Sequence, residues 1–293
     1  MKKSLMDVIF ASEKRKAVLL MLMNGEKEIS VILNSLKTSR NSLLPQIRTL
    51  EEHHLVCHHK DSYKLTTIGK IVVGKMVPLL DKTEFLDVDI DHWGTHDIDF
   101  LSPELLEGIG KLAQCKVVSP PLSGIYNPPE EMYAHYSGPH EITDVSARDP
   151  ETSDFFLVVT RTLYMNFDEI ISSMLERKMK IRIIVSTSLF EKIQNGEYSY
   201  FAEFLKNKLF RFYVYPEKID FLSFGCTSDY LILRLLTNDG GYDNRYMLCS
   251  DLEAIEWGNG FFEHYLEDSI PITELYQKNK KPAEMTLNEK ITT

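Results

Sequence analysis

Between Ile29 and Gly69 the chain reads ISVILNSLKTSRNSLLPQIRTLEEHHLVCHHKDSYKLTTIG, and its apolar spacing leaves few ways to fold. Ile29, Ile32, Leu33 and Leu36 fall at i, i+3, i+4 and i+7, which is one face of a helix. Lys37, Thr38 and Ser39 interrupt the pattern, and Leu43, Ile47 and Leu50 resume it. On a 3.6-residue wheel these three make a buried side and leave Asn41, Arg48 and Thr49 largely opposite. Pro45 deletes a helical hydrogen bond, at ~3 kcal/mol in a helix interior and less in a first turn. It therefore either sets the helix start near Ser42 or kinks the helix at Asn41. Leu55 to Leu65 then reads as two short strands around the polar tip Lys60-Asp61-Ser62, and an apolar helix follows from about Ile68 to Leu80.

A helix held by packing, with amide and guanidinium groups facing outward, suits a DNA major groove. SRNSLLPQIRTLEEHHLV followed by YKLTTIG resembles the winged helix-turn-helix of archaeal transcription regulators. Asn41, Ser42 and Arg48 are expected to read bases of double-stranded DNA. Thr38, Ser39, Arg40, Gln46, Lys60 and Lys64 are expected to hold phosphates. Upstream, Ser12 caps a helix that runs to about Asn24, with Gly25 as its stop and Val18, Leu19 and Leu22 as its packing face. Lys14, Arg15 and Lys16 read equally as phosphate contacts or as a solvated helix face.

The net charge of −10 argues against nucleic acid until the chain is divided. The first 80 residues carry 13 Lys+Arg and 7 Asp+Glu, and the remainder carries 20 and 36. DNA affinity depends on the local field, so a basic head on an acidic body is compatible with it. The longest apolar run, Ala17 to Met23, is far short of the ~20 residues that span a bilayer, so no membrane partner is expected. Lys2 and Lys3 precede no apolar signal core, which predicts a cytoplasmic protein. Cys57, Cys115, Cys226 and Cys249 are scattered without a C-x-x-C, which predicts free thiols rather than a disulfide frame.

The chain divides into a head at 1–82, an acidic linker at 83–100, an α/β domain at 101–275 and a tail at 276–293. In the linker, His92 and His96 are four apart with Asp91 and Asp97 beside them, but no helix signal puts both imidazoles on one face; no metal is expected there. Ser102-Pro103 starts a helix, and Val117-Val118 reads as a strand. Phe155–Thr160 and Ile181–Val185 are strands flanking a helix that an Asn166-x-x-Glu169 box opens, a crossover that implies parallel pairing. A helix near Tyr200–Leu209 precedes strands at Phe210–Tyr215, Phe221–Phe224, Tyr230–Leu236 and Arg245–Cys249. The last two join through Asn238-Asp239-Gly240-Gly241 as an antiparallel hairpin. Ser250-x-x-Glu253 is expected to cap the final helix.

Asp91-x-Trp93-x-x-His96, the SPELLEGIGKL helix and the closing SDLEAIEWGNGFFEHY are similar to the FilR-type methanogenesis regulatory proteins. The likeness runs from about Ile29 to Leu275. It implies an α+β winged helix-turn-helix head followed by an α/β sensor domain with a mixed sheet, and transcription control by a small-molecule effector. A homodimer paired through the helix after the wing is the expected assembly. Tyr126, Tyr133, Arg161 and Arg182 are the candidate effector contacts, and either arginine reads alternatively as the partner of a structural carboxylate. No phosphate loop, dinucleotide fingerprint, G-x-S-x-G elbow or H-x-K-x-x-x-x-D motif occurs, so no catalytic residue, enzyme activity or cofactor is expected. Two rival readings stand. One is a metal or redox sensor built on His53, His54, Cys57, His58 and His59. The other is a small-molecule binder or metabolic enzyme whose head contacts protein.

Overall fold

The computed structural model describes residues 3–119, 155–163 and 167–275. The chain divides into two compact units, Met1–Thr83 and Glu84–Thr293.

The first unit opens with α1 (Leu5–Phe10), which the sequence reading did not anticipate; Ser4 Oγ accepts from Asp7 N at 3.1 Å and caps it. α2 (Glu13–Met23) starts at Ser12 as expected, and Gly25 at φ 107 turns the chain out of it. β1 (Lys27–Glu28) leads directly into α3 (Ile29–Ser35). α3 ends in a Schellman turn, with Lys37 left-handed at φ 45, Lys37 N bonded to Asn34 O and Thr38 N to Leu33 O. α4 (Arg40–Glu52) then begins at Arg40 and runs through Pro45 as one helix, so the proline does not set its start near Ser42. The reason is positional. Pro45 is the sixth residue of the helix, so it withholds a donor only from the Asn41 carbonyl, on an exposed residue that water reaches.

β2 (Val56–His59) and β3 (Ser62–Leu65) form the hairpin, and β1 pairs with the far edge of β3, Lys27 opposite Tyr63. The T-x-x-G that follows has a steric cause. Thr66 Oγ1 accepts from Gly69 N at 3.0 Å and caps α5 (Thr67–Asp87). Any Cβ on Gly69 would fall 2.0 Å from Leu55 O, so only glycine fits that approach. Val18, Leu19, Ile32, Leu43, Ile47, Leu50, Leu55 and Val73 form the core of this unit.

The second unit is built on an eight-stranded mixed sheet. β4 (Lys116–Val118), β5 (Phe155–Thr160), β6 (Lys180–Ser186), β7 (Phe210–Tyr215), β8 (Ser223–Thr227), β9 (Leu231–Arg234), β10 (Tyr246–Cys249) and β11 (Ile270–Pro271) lie in the order β11-β7-β6-β5-β8-β9-β10-β4. β5, β6 and β7 are parallel, as the crossover pattern predicts, and all other neighbours are antiparallel. The alternation of side chains sends Ile181, Ile183 and Val185 to one core and Ile184 to the other. On the first face pack the helices Phe167–Glu176 and Thr187–Gln194 and the single turn Phe201–Phe204. The turn is shorter than the helix expected at 200–209, and the helix at 187–194 was missed although Ser186 caps it. On the other face lies Leu252–Glu267, with Trp257, Phe261, Phe262 and Tyr265 buried. Its cap is Asp251, which accepts from Glu253 N at 2.9 Å, rather than Ser250. Asn166 and the tail at 276–293 lie outside the described residues.

Two expectations are corrected. Residues 83–100 are not a connector: the last turn of α5, α6 (Ile90–Thr95) and the residues around it fold into the second unit. Phe85 and Trp93 are buried with rings 4.3 Å apart, Trp93 Nε1 donates to Phe85 O, and His96 bridges to Thr237. The apolar residues inside that acidic stretch are sparse but large, and burial follows them rather than the mean charge. Secondly, Cys115 and Cys249 form a disulfide across 134 residues. Leu248 faces Lys116 in the antiparallel β10–β4 pair, so the next position outward sets the two cysteines opposite each other at a Cα separation of 4.4 Å. Cys57 and Cys226 are free thiols. Among the described residues no helix is long and apolar enough to cross a membrane.

Candidate nucleic-acid interface

α4 is held from beneath by Leu43, Ile47 and Leu50, all essentially inaccessible. Its opposite side presents Asn41, Pro45 and Arg48 to solvent, and Thr49 Oγ1 is turned back onto Pro45 O at 3.1 Å. Arg48 has no side-chain partner among the described residues. Ser39 is the N-cap residue, but its side chain makes no capping bond; Ser39 is exposed and Thr38 half-buried.

The hairpin meets α4 twice. Arg40 Nη2 lies 3.4 Å from Asp61 Oδ1, and His58 Nδ1 pairs with Glu51 from β2. Asp61 O also accepts from Ile29 N at 2.9 Å, which fixes the tip against the start of α3. Lys60 sits on that tip in a left-handed conformation at φ 56, and Lys64 faces outward opposite Cys57. Tyr63 on the inner face is buried, and desolvation, with Glu51 next, pushes its hydroxyl pKa up.

The residues expected to contact DNA thus divide. Arg40, Asn41, Arg48, Lys60 and Lys64 are exposed. Ser42 and Gln46 form a half-buried flank turned toward α2, where Lys14 Nζ donates to Ser42 Oγ. Gln46 Oε1 accepts from Arg15 Nη1 at 2.7 Å and from Ser12 Oγ at 3.2 Å. Arg15 is only 7% exposed and also donates to Val8 O and Asp7 O at the end of α1. It is therefore neither a solvated face nor a phosphate contact. The signal was present in the spacing: Arg15, Val18, Leu19 and Leu22 fall at i, i+3, i+4 and i+7.

The cysteine and histidine residues of the hairpin do not converge, and among the described residues no three His, Cys, Asp or Glu side chains are placed to hold a metal ion. His92 and His96 instead pack ring against ring, with centroids 3.9 Å apart and planes tilted by 36°. His96 bonds His92 O through Nδ1 at 2.8 Å and Asp243 Oδ1 through Nε2 at 3.2 Å. His92 is fully buried with neither ring nitrogen partnered, and desolvation, followed by the His96 charge, lowers its pKa to about 4. Burial works against ionisation of Asp243, yet hydrogen bonds from Arg245 and His96 hold its carboxyl below the ordinary range.

Of the candidate effector contacts, Arg182 is an internal brace. It pairs with Glu263 at 2.8 Å and lies 4.8 Å over the Phe262 ring. Arg161 is exposed and lines a cavity of about 270 Å³ with Ser186, Thr187, Ser188, Glu217 and Lys218, at the carboxyl ends of β5, β6 and β7. Tyr126 and Tyr133 lie outside the described residues.

Two family models match the chain. The N-terminal domain of methanogenesis regulatory protein FilR1 matches residues 3–83, and the middle domain of the same protein matches residues 139–268. The methanogenesis regulatory protein FilR1 of Methanothrix harundinacea (strain 6Ac) is 23% identical over 271 residues, which cover 91% of this chain and 58% of that protein. The chain thus spans a little over half the length of the curated relative. The solved structure of TrmBL2, described as an archaeal chromatin protein with a novel mode of DNA binding, covers 88% of this chain and 93% of its own at 12% identity. Its TM-score is 0.38.

Proposed function

The chain belongs to the FilR1-type family of methanogenesis regulatory proteins, and we propose that it is a sequence-specific, DNA-binding transcription regulator whose first unit is a winged helix-turn-helix. The observation that carries this reading is the exposed side of α4, where Asn41 and Arg48 stand above a rigid apolar seam. Amide and guanidinium groups mounted this way suit the edges of adenine and guanine. Arg40, Lys60 and Lys64, with Thr38 and Ser39, hold the backbone on either side. The regulatory description of the family agrees with a chain in which no catalytic motif was found.

The second unit is read as the sensor. Ligands of open α/β sheets sit beyond the carboxyl ends of the strands, which is where the cavity containing Arg161 lies. An effector there would shift operator affinity by a coupling of about 1–3 kcal/mol. We read the assembly as a homodimer paired through α5, whose Ile68, Ile71 and Leu79 are exposed. Twofold symmetry then spaces half-sites by about 10–10.5 bp or a multiple. The setting is the cytoplasm and the target methanogenesis genes or related metabolism.

The test is direct. The full chain is titrated with upstream genomic fragments and with scrambled duplex over a range of salt concentrations. Preference for particular fragments, with affinity falling steeply as salt rises, is expected. Lys60→Ala should lower affinity for all duplexes and shallow the salt dependence by about one unit of slope. Equal, salt-indifferent binding of every duplex would dismiss the reading in favour of a head that contacts protein.

A further inference from the structure

Five side chains of the first unit form a hydrogen-bonded cluster along the flank of α4. Arg15 Nη1 and Ser12 Oγ both donate to Gln46 Oε1, at 2.7 and 3.2 Å. Lys14 Nζ donates to Ser42 Oγ one turn earlier on the same flank. Arg15 is not free to leave, because its remaining donors close carbonyls of α1 at Val8 and Asp7, and it is 7% exposed. A glutamine has one acceptor oxygen and one donor nitrogen, and the network decides which way the amide points. With its oxygen held by two donors, Gln46 turns its NH2 away from α2, where it has no partner among the described residues.

Resting on the DNA-binding reading, we propose that Arg15 is a positioning residue that makes Gln46 a donor-only reading group. The consequence is a specific base preference. The usual bidentate glutamine–adenine pair needs both amide groups, a donor to N7 and an acceptor for the 6-amino group, and the acceptor is already in use. A donor-only NH2, with two hydrogens to give, meets instead an edge that offers two adjacent acceptors, which in the major groove is guanine, with N7 and O6. The α2 flank of α4 therefore selects guanine, and it does so through residues that never touch DNA. Arg15 itself contributes nothing to the count of neutralised phosphates.

The experiment is enrichment of bound sequences from a random duplex library by the full chain, followed by affinities for enriched and scrambled duplex at several salt concentrations. The wild type is expected to enrich guanine at the positions under Gln46. Gln46→Leu should reduce discrimination at those positions about tenfold. Arg15→Lys, which keeps the charge but loses the fork, should relax the same positions and leave the salt slope unchanged. The double variant should add no further loss. Gln46→Glu keeps an acceptor for Arg15 but presents acceptors alone, and should move the preference from guanine toward cytosine, whose amino group donates. A purely structural Arg15 would leave the motif unchanged in Arg15→Lys or lower affinity equally for all duplexes. Adenine at those positions, an unchanged motif in Gln46→Glu, or a Gln46→Leu loss equal on all duplexes would overturn the proposal. Should the wild type itself enrich nothing, the DNA-binding reading fails first, and the wild-type arm alone reveals it.

Discussion

The two units treat polar groups in opposite ways. In the first, most of the charge is outside: Arg40, Arg48, Lys60 and Lys64 are exposed, and Arg15 is the one buried charged group of that unit among the described residues. In the second, His92, His96 and Arg234 are buried among rings, with Arg234 5.1 Å over Tyr246 and His96 bonded to Asp243. A polar group taken inside is committed to the fold, and its cost is felt as stability and as pH dependence. One left outside costs the fold little and remains available to a partner.

The sharpest break between the units would come from their cores. Phe261 lies within about 4.5–5.4 Å, ring to ring, of Phe221, Phe224, Trp257 and Tyr265. Phe261→Ala should cost about 3–5 kcal/mol in denaturant unfolding of the second unit. A loss below about 1 kcal/mol would mean that this ring cluster is not what holds the sheet to its helix.

The buried histidine comes next. His92 is surrounded by His96, Arg245, Asp243 and Asp89. Its folded pKa of about 4 lies below the ordinary value of 6.5, so the unfolded chain takes up the proton first. Its contribution is therefore complete above pH 6.5 and is lost as pH falls toward 4, by up to roughly 3 kcal/mol. His92→Leu should flatten stability over that window; an unaltered acid limb would move the origin of the effect elsewhere.

Arg48 supplies the opposite case. Arg48→Ala should lower discrimination between preferred and scrambled duplex by about 1–3 kcal/mol. The same variant should leave unfolding free energy within about 0.5 kcal/mol. A footprint and affinity indistinguishable from wild type would remove Arg48 from the reading set. The smallest effect is expected at Asp61, which competes with phosphate for Arg40 across 3.4 Å. Asp61→Asn should tighten binding to all duplexes by about twofold, and weaker binding would show that the pair orders the tip rather than competing.

Much of this was legible because it depends on neighbours in the chain. The 3–4 spacing of Leu43, Ile47 and Leu50 predicts the side of α4 that is buried, and the apolar run Phe155–Thr160 predicts a strand covered on both faces. The T-x-x-G at Thr66–Gly69 could be recognised as a motif, but its reason, the Leu55 carbonyl in the space a Cβ would need, required coordinates. For the interface, the split between exposed Arg48 and half-buried Gln46 could not be read, since both follow the same helix and differ only in what α2 brings against them. Arg161 and Arg182 looked alike in sequence, each beside a buried strand, and were separated only by the arrival of Glu263 and Phe262 beside Arg182.

Sequence by itself determined the main strands, the apolar faces of the longer helices and the parallel crossover, because helical and strand periods act over a few residues and the hydrophobic effect sorts them without needing a partner's identity. Tertiary structure alone decided the pairing of Cys115 with Cys249, the folding of residues 84–100 into the second unit and the capture of Gln46 by Arg15. Each of these joins groups far apart in the chain or held on different elements, and a hydrogen bond or disulfide forms only where packing has already brought donor to acceptor or sulfur to sulfur within a few ångströms.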